Sequence, residues 1–188
     1  SASNNTVYDN TFLAYNGTKS AIFLVSSKNN TIFNNTIIAL NWTINGIELS
    51  SSSNNTLINN YINASNFNTT AIKLSSSSDN IIDVNNITTG GDGIAFFSSS
   101  DRNLIGNNTI IVYGDGTHSG IRFDGNSQNN NISWTNITSR SASHGIILRG
   151  GNKNYILNSI VNTSSGTGDG IRVLEIPAGS SYANFYDS

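Results

Sequence analysis

Residues 26–50, SSKNNTIFNNTIIALNWTINGIELS, are written again in residues 51–75, SSSNNTLINNYINASNFNTTAIKLS. A fixed internal period is the signature of a repeat architecture and outranks every local signal. Working outward from this pair, four apolar columns run down the chain. The first is Val7, Ile32, Leu57, Ile82, Ile105, Ile132 and Ile156, and the second is Phe12, Ile37, Ile62, Ile87, Ile110, Ile137 and Val161. The third and fourth sit two residues apart, as Ile22/Leu24, Ile47/Leu49, Ile72/Leu74, Ile94/Phe96, Ile121/Phe123, Ile146/Leu148 and Ile171/Val173. An i, i+2 spacing is the period of a strand, and no stripe of helical spacing is long enough to compete with it. Short strands at a step of 22 to 27 residues, with no hairpin-type reversal, predict an all-β chain wound as a parallel β-helix. The coils fall near residues 1–25, 26–50, 51–75, 76–98, 99–125, 126–150 and 151–175, and residues 176–188 form a tail that leaves the repeat.

Polar columns run beside the apolar ones. Asn5, Asn30, Asn55, Asn80, Asn103, Asn130 and Asn154 each precede the first apolar column by two residues. Stacked at the strand spacing of ~4.8 Å, an amide can pass a hydrogen bond to its copy in the next coil, which predicts a structural ladder. Asn10, Asn35, Asn60, Asn85 and Asn108, then Thr135 and Ser159, repeat the device. The residue before each third-column Ile is small (Ala21, Gly46, Ala71, Gly93, Gly120, Gly145, Gly170), as a sharp bend into the strand would require.

Composition narrows the function classes. Charged residues are 11% of the chain against about 25% in an ordinary soluble domain. The polar surface is carried instead by 33 Asn and 29 Ser. A net charge of −2 without a Lys/Arg cluster argues against a nucleic-acid partner. The absence of Cys removes disulfides and thiolate metal sites. The longest wholly apolar run, Ala21–Val25, is too short for membrane insertion. The chain starts at Ser1 without a leader, so a signal peptide is expected to have been removed. Thirteen Asn-x-Ser/Thr sequons, with Asn16, Asn34, Asn41, Asn68 and Asn136 as glycosylation candidates, suit an extracellular or cell-surface glycoprotein.

The pattern NNTI-x-NN-x-I … GI-x-L-x-x-SS-x-N resembles the right-handed parallel β-helix repeat, and in particular the Asn-rich surface and disaggregatase-type proteins of methanogenic archaea. More remotely it is similar to β-helix carbohydrate-active enzymes such as pectate lyases and polygalacturonases. The resemblance covers roughly residues 1–175 and implies right-handed winding and an extracellular setting. It carries over no catalytic residue, because neither an N-x-D … D-D pair nor a Ca²⁺-binding acid cluster beside a basic residue is present. In the tail, Pro177, Tyr182, Phe185 and Tyr186 could close over the last coil as a partial cap. Terminal coils without caps expose unpaired edges, so the chain is expected to continue into flanking domains or to dock on copies of itself.

The segment between the second and third apolar columns varies most, which is where function would sit. It holds Asp92, Asp115, His118, His144 and Asp169, with Arg140 close by and Arg122 and Arg172 at outward positions of the next strand. An acid, a base and an Arg on one face could bind or cleave an acidic polysaccharide, and carboxylates one or two coils apart span glycosidase separations. The simpler reading is turn chemistry: Asp92, Asp115, Asp124 and Asp169 all precede Gly, where Gly takes a positive φ. The two His read most simply as solvated loop residues. Trp42 and Phe67 hold matching places in adjacent coils and are expected to stack. No cofactor is expected, and Ca²⁺ is the one metal ion the acidic loops leave open. Together these features predict a structural or adhesive module of a self-assembling surface protein, with polysaccharide as a further partner. A carbohydrate-active lyase or hydrolase acting on the long-loop face is the alternative.

Overall fold

A computed structural model describes residues 2–15, 20–40, 45–163, 167–174 and 183–185. Asn16, Asn41, Trp42, Pro177, Tyr182 and Tyr186 lie outside the described residues, and with them the Trp42–Phe67 stack. Among the described residues every regular element is a strand. Each of seven coils supplies one strand to each of three parallel sheets; in the third coil these are Thr56–Ile58, Tyr61–Phe67 and Ile72–Ser75. The first sheet has eight strands, because Ala183–Phe185 pairs in parallel with Asn154–Leu157 beyond the seventh coil. The other two sheets have seven strands each.

The register places like over like. Ile32 lies against Leu57 and Leu57 against Ile82 in the first sheet, Ile37 against Ile62 in the second, and Ile47 against Ile72 in the third. All of these side chains are fully buried. The core is therefore a set of aliphatic stacks inside the three sheets, with Phe96 and Phe123 stacked face to face at 4.7 Å within the fourth column. A fifth inward column lies two residues beyond the second: Ala39, Ala64, Thr89, Val112 and Ser139, all buried. On the outside of the first sheet Tyr8 and Phe33 stack at 5.2 Å.

The two tight corners are held by ladders. Asn80 Oδ1 accepts from the backbone N–H of Asn55 at 2.9 Å and from its Nδ2 at 3.1 Å, and Asn80 in turn donates to Asn103 Oδ1. The spare Nδ2 hydrogen reaches the carbonyls of Ser52 and Ser78. The same scheme links Asn5 to Asn30 and Asn103 through Asn130 to Asn154. At the second corner Asn35, Asn60, Asn85 and Asn108 repeat it, and Thr135 N–H donates to Ser159. A Ser ladder accompanies the first: Ser27, Ser52, Ser77 and Ser100 each donate their backbone N–H to the next Ser hydroxyl, ending at Ser127. Such chains satisfy corner groups that would otherwise be buried and unpaired.

Each corner also needs a left-handed residue. Asn29, Asn54, Asp79 and Asn129 precede the first ladder with φ of 56–58°, and Asp9, Asn34, Asn59 and Asn107 precede the second with φ of 49–56°. Asn and Asp tolerate this region; Val84 (φ 53°) and Trp134 (φ 51°) hold the same place in coils 4 and 6 against their preference. The glycines before the third column have another cause. A Cβ on Gly145 would meet Val161 Cγ1 at 2.1 Å and the Gly170 carbonyl at 2.3 Å, so close approach, not a positive φ, demands the small residue. Of the four Asp-Gly pairs, Gly125 alone has the positive φ expected of all of them (70°). Asp92-Gly93 and Asp169-Gly170 run into strands instead.

Candidate functional site: an arginine-lined cleft on the third sheet

Up to coil 3 the passage from second to third sheet is simple. Ser20 and Asn45 donate to Glu48 Oε2 at 2.6 and 3.0 Å, and Lys73 lies 3.2 Å from Oε1. Burial pushes the Glu48 carboxyl up, but these donors outweigh it and hold it below its ordinary value. From coil 4 the loops vary in length and stack closely on one another: a Cβ on Gly91 would meet the Thr69 carbonyl at 2.5 Å, and one on Gly114 would meet the Gly90 carbonyl at 2.6 Å. Here the fifth inward column turns polar. Thr89 donates to the Thr69 carbonyl and Ser139 to the His144 carbonyl, both at 2.7 Å.

The five acid and base candidates settle into this packing. Asp92 is buried, and its Oδ1 accepts from Ser119 N–H at 2.8 Å and Ser119 Oγ at 3.1 Å. Burial lifts its carboxyl above the ordinary range against the opposing pull of Arg122, 3.5 Å away. Asp115 is exposed and closes a local turn, accepting from the Thr117 N–H at 3.0 Å and hydroxyl at 2.6 Å, which lower its pKa. His118 is buried beside it, with Nε2 3.7 Å from Asp115 Oδ1 and neither ring nitrogen hydrogen-bonded. His144 is buried in the next coil at the start of a strand, so neither His is the solvated loop residue expected from sequence: stacking of the coils encloses both. Its Nδ1 accepts from the Asp169 N–H at 2.9 Å, and Arg172 Nη1 stands 3.0 Å from Nε2. A neutral imidazole has one acceptor nitrogen, so two donors compete for this ring. The structure thus pairs His118 with Asp115 and His144 with Asp169, and leaves Asp92 on Ser119. The remaining glycosylation candidates, Asn34, Asn68 and Asn136, are exposed.

The open feature lies alongside. A cleft of about 360 Å³ is lined by Arg122, Arg149, Arg172, His144, Ile147 and Leu174, with Gly116 and Thr117 on its rim. It is built from Ser119–Asp124, His144–Arg149 and Ile171–Leu174, three adjacent strands of the third sheet. Register sets Arg122 beside Ile147 and Ile147 beside Arg172, and two residues on sets Asp124, Arg149 and Leu174 in line. Three of the chain's five Arg therefore share one face. Arg122 is locked: its Nε and Nη2 both stand 2.6 Å from Asp124 Oδ2. Arg149 and Arg172 are looser, 3.7 Å from Asp124 and 3.8 Å from Asp169, and roughly two-fifths exposed. Of the five candidates named from sequence, His144 alone lines this cleft. Arg149, Ile147 and the pairing role of Asp124 escaped that reading, though the i, i+2 alternation beyond Arg122 and Arg172 carries the signal. Among the described residues no group of three or more His, Asp or Glu could hold a metal ion. No helix there is long and apolar enough to cross a membrane.

The family model for periplasmic copper-binding protein (NosD) matches residues 1–113 of the 188. Every side chain that lines the cleft comes after that stretch. No curated protein gives a match. Among solved structures, the A-module of Azotobacter vinelandii mannuronan C-5 epimerase AlgE4 is similar, with a TM-score of 0.62 and 13% identity over 97% of this chain and 58% of that one. The likeness is one of fold, and the chain spans less than two thirds of that neighbour.

Proposed function

The chain belongs to the NosD family of periplasmic copper-binding proteins, and on that footing we propose that it is a non-enzymatic β-helix module working outside the cytoplasm, as scaffold or adhesive surface of an envelope protein. Winding is right-handed on this reading, as parallel crossovers in one sheet nearly always are. The observation that carries it is the state of the carboxylates. Asp92, Asp115 and Asp169 are each engaged by a neighbour, and none lines the cleft. A glycosidase needs two carboxyl groups facing one bond. The long ladders of near-identical coils favour a rigid spacer, and lateral or end-to-end association of copies is its natural extension.

Copper is the ligand that the family's description supplies, and this chain's donors do not fit it. Soft thiolate and thioether ligands are missing altogether, since the sequence has neither Cys nor Met. Its two His both lie beyond the matched stretch, one ringed by N–H donors and the other enclosed in packing. No step of the proposed function passes through a metal.

Two assays test the reading. Light scattering across a concentration series should show association of the purified chain or of a longer parent containing it; strict monomers in both remove the assembly. Incubation with neutral and acidic polysaccharides should release neither reducing ends nor unsaturated products. Turnover that survives purification and is lost on Asp92→Asn or His144→Gln would replace the scaffold with an enzyme.

A further inference from the structure

We propose that the Arg149–Arg172 cleft is a binding site for a carboxylate-bearing polysaccharide, an inference that goes beyond the scaffold role. Four of the chain's five Arg fall in residues 122–172, although the whole protein carries a net charge of −2. Carboxylates stand beside these Arg, so attraction here comes from direct contact with a guanidinium and not from long-range steering. Two of the three lining guanidiniums keep their donors outside hydrogen-bond range of the carboxylates beside them. A guanidinium fork matches a carboxylate's two oxygens, and its planar geometry binds in bidentate fashion.

The apolar neighbours say what carries the anion. Ile147 and Leu174 alternate with Arg149 and Arg172 on the same two rows of the sheet. Rows ~4.8 Å apart and alternate residues ~6.7 Å apart set the two Arg about 8 Å apart at Cα. Ile147 is almost fully buried and floors the cleft, so the part-exposed Leu174 offers the aliphatic surface on which a pyranose lays its C–H face while its carboxylate turns to the flanking guanidinium. A volume of about 360 Å³ admits a sugar ring or two, at the small end of ligand clefts.

The charge balance argues against a bare inorganic anion. Asp92, Asp124 and Asp169 stand against Arg122, Arg149 and Arg172, so the site as a whole is close to neutral. Phosphate or sulfate gains little there without further contact area. A polymer with one charge per sugar gains that area and repeats it. His144 adjoins the site, with its Nε2 3.0 Å from Arg172 Nη1.

The test is calorimetric titration of the whole chain with oligogalacturonate, with a neutral oligosaccharide of equal length, and with inorganic phosphate and sulfate. The acidic oligosaccharide should bind, the neutral one should not, and raising salt should weaken the affinity. Arg149→Ala/Arg172→Ala should lose at least about tenfold, the loss of two charge-assisted contacts. Arg102→Ala/Arg140→Ala removes the same charge away from the cleft and should keep the affinity. Absence of binding to the acidic chain, binding of inorganic anions alone, or full affinity in a folded Arg149→Ala/Arg172→Ala variant would each overturn the proposal. Should the double variant fail to fold, Arg149→Gln, on a half-exposed side chain, gives the same reading with a smaller loss. An empty cleft leaves the scaffold reading standing, whereas binding followed by cleavage defeats the scaffold and keeps the site.

Discussion

Replacing Asn80 by Ala cuts the ladder at its most enclosed point. The side chain is fully buried and makes five hydrogen bonds: two accepted from Asn55, and three donated to Asn103, Ser52 and Ser78. Each bond contributes about 1 kcal/mol net, and a buried partner left unpaired costs 1–3 kcal/mol. The carbonyl of Ser78 is half-buried and can turn to water, but the Asn55 amide and the Ser52 carbonyl cannot. The expected loss is therefore about 3–5 kcal/mol. Asn5, at the exposed end of the same ladder, should lose less than about 1 kcal/mol on the same change, because water replaces its partners. Asn80→Asp keeps the shape and turns a donor into an acceptor facing three acceptors, so it should be worse than Ala at neutral pH and recover in acid. Urea unfolding followed by far-UV circular dichroism reads all three, with the slope checked for lost cooperativity, since coil arrays can unfold piecemeal. Equal, sub-kilocalorie losses at Asn80 and Asn5 would refute the ladder as a source of stability.

Three further outcomes are expected. Val84→Asn and Trp134→Asn should each stabilise by about 1 kcal/mol, because they relieve a left-handed strain on half-exposed side chains; a loss at both would show that packing outweighs backbone preference. Gly145→Ala should cost about 2–3 kcal/mol through the contacts its Cβ makes with Val161 and Gly170, whereas Gly116→Ala, whose Cβ would meet Ala142 only at an ordinary contact distance of 3.7 Å, should be near neutral. Burial raises the Asp92 pKa, so the folded state holds that proton more tightly than the unfolded one. Its contribution is full below the ordinary value of 3.8 and is lost as pH rises through the raised one. The melting temperature of the wild type relative to Asp92→Asn should accordingly fall between acid and neutral pH, and a constant gap would contradict this.

The fold was legible because four columns of large apolar residues repeat at i, i+2, and nothing else in 188 residues competes with them. The fifth column escaped because its members are Ala, Thr, Val and Ser, which look like surface residues until register puts Thr89 between Ala64 and Val112. The Ser ladder was hidden in a background of 29 Ser. At the cleft, Arg122 and Arg172 are readable as outward positions of strands. Arg149 is not, because Gly150 and Gly151 after it look like a loop, and Asp124, which precedes Gly125 as a turn residue would, holds Arg122 with its carboxylate. Side-chain pairing across coils depends on how loop length varies from coil to coil, and that variation carries no periodic signal.

In-register cross-linking tests the stack most directly, and a chain without Cys gives a clean background. Thr56 and Ile81 lie side by side on the outer face of the first sheet, twenty-five residues apart in sequence. At ~4.8 Å between Cα atoms, Thr56→Cys/Ile81→Cys should oxidise to an intramolecular disulfide. Thr56→Cys/Asp83→Cys, about 8 Å apart, is beyond bridging distance and should stay reduced. Bridging of the second pair and not the first would mean that the coils are stacked in some other register, and the cleft with them would be gone.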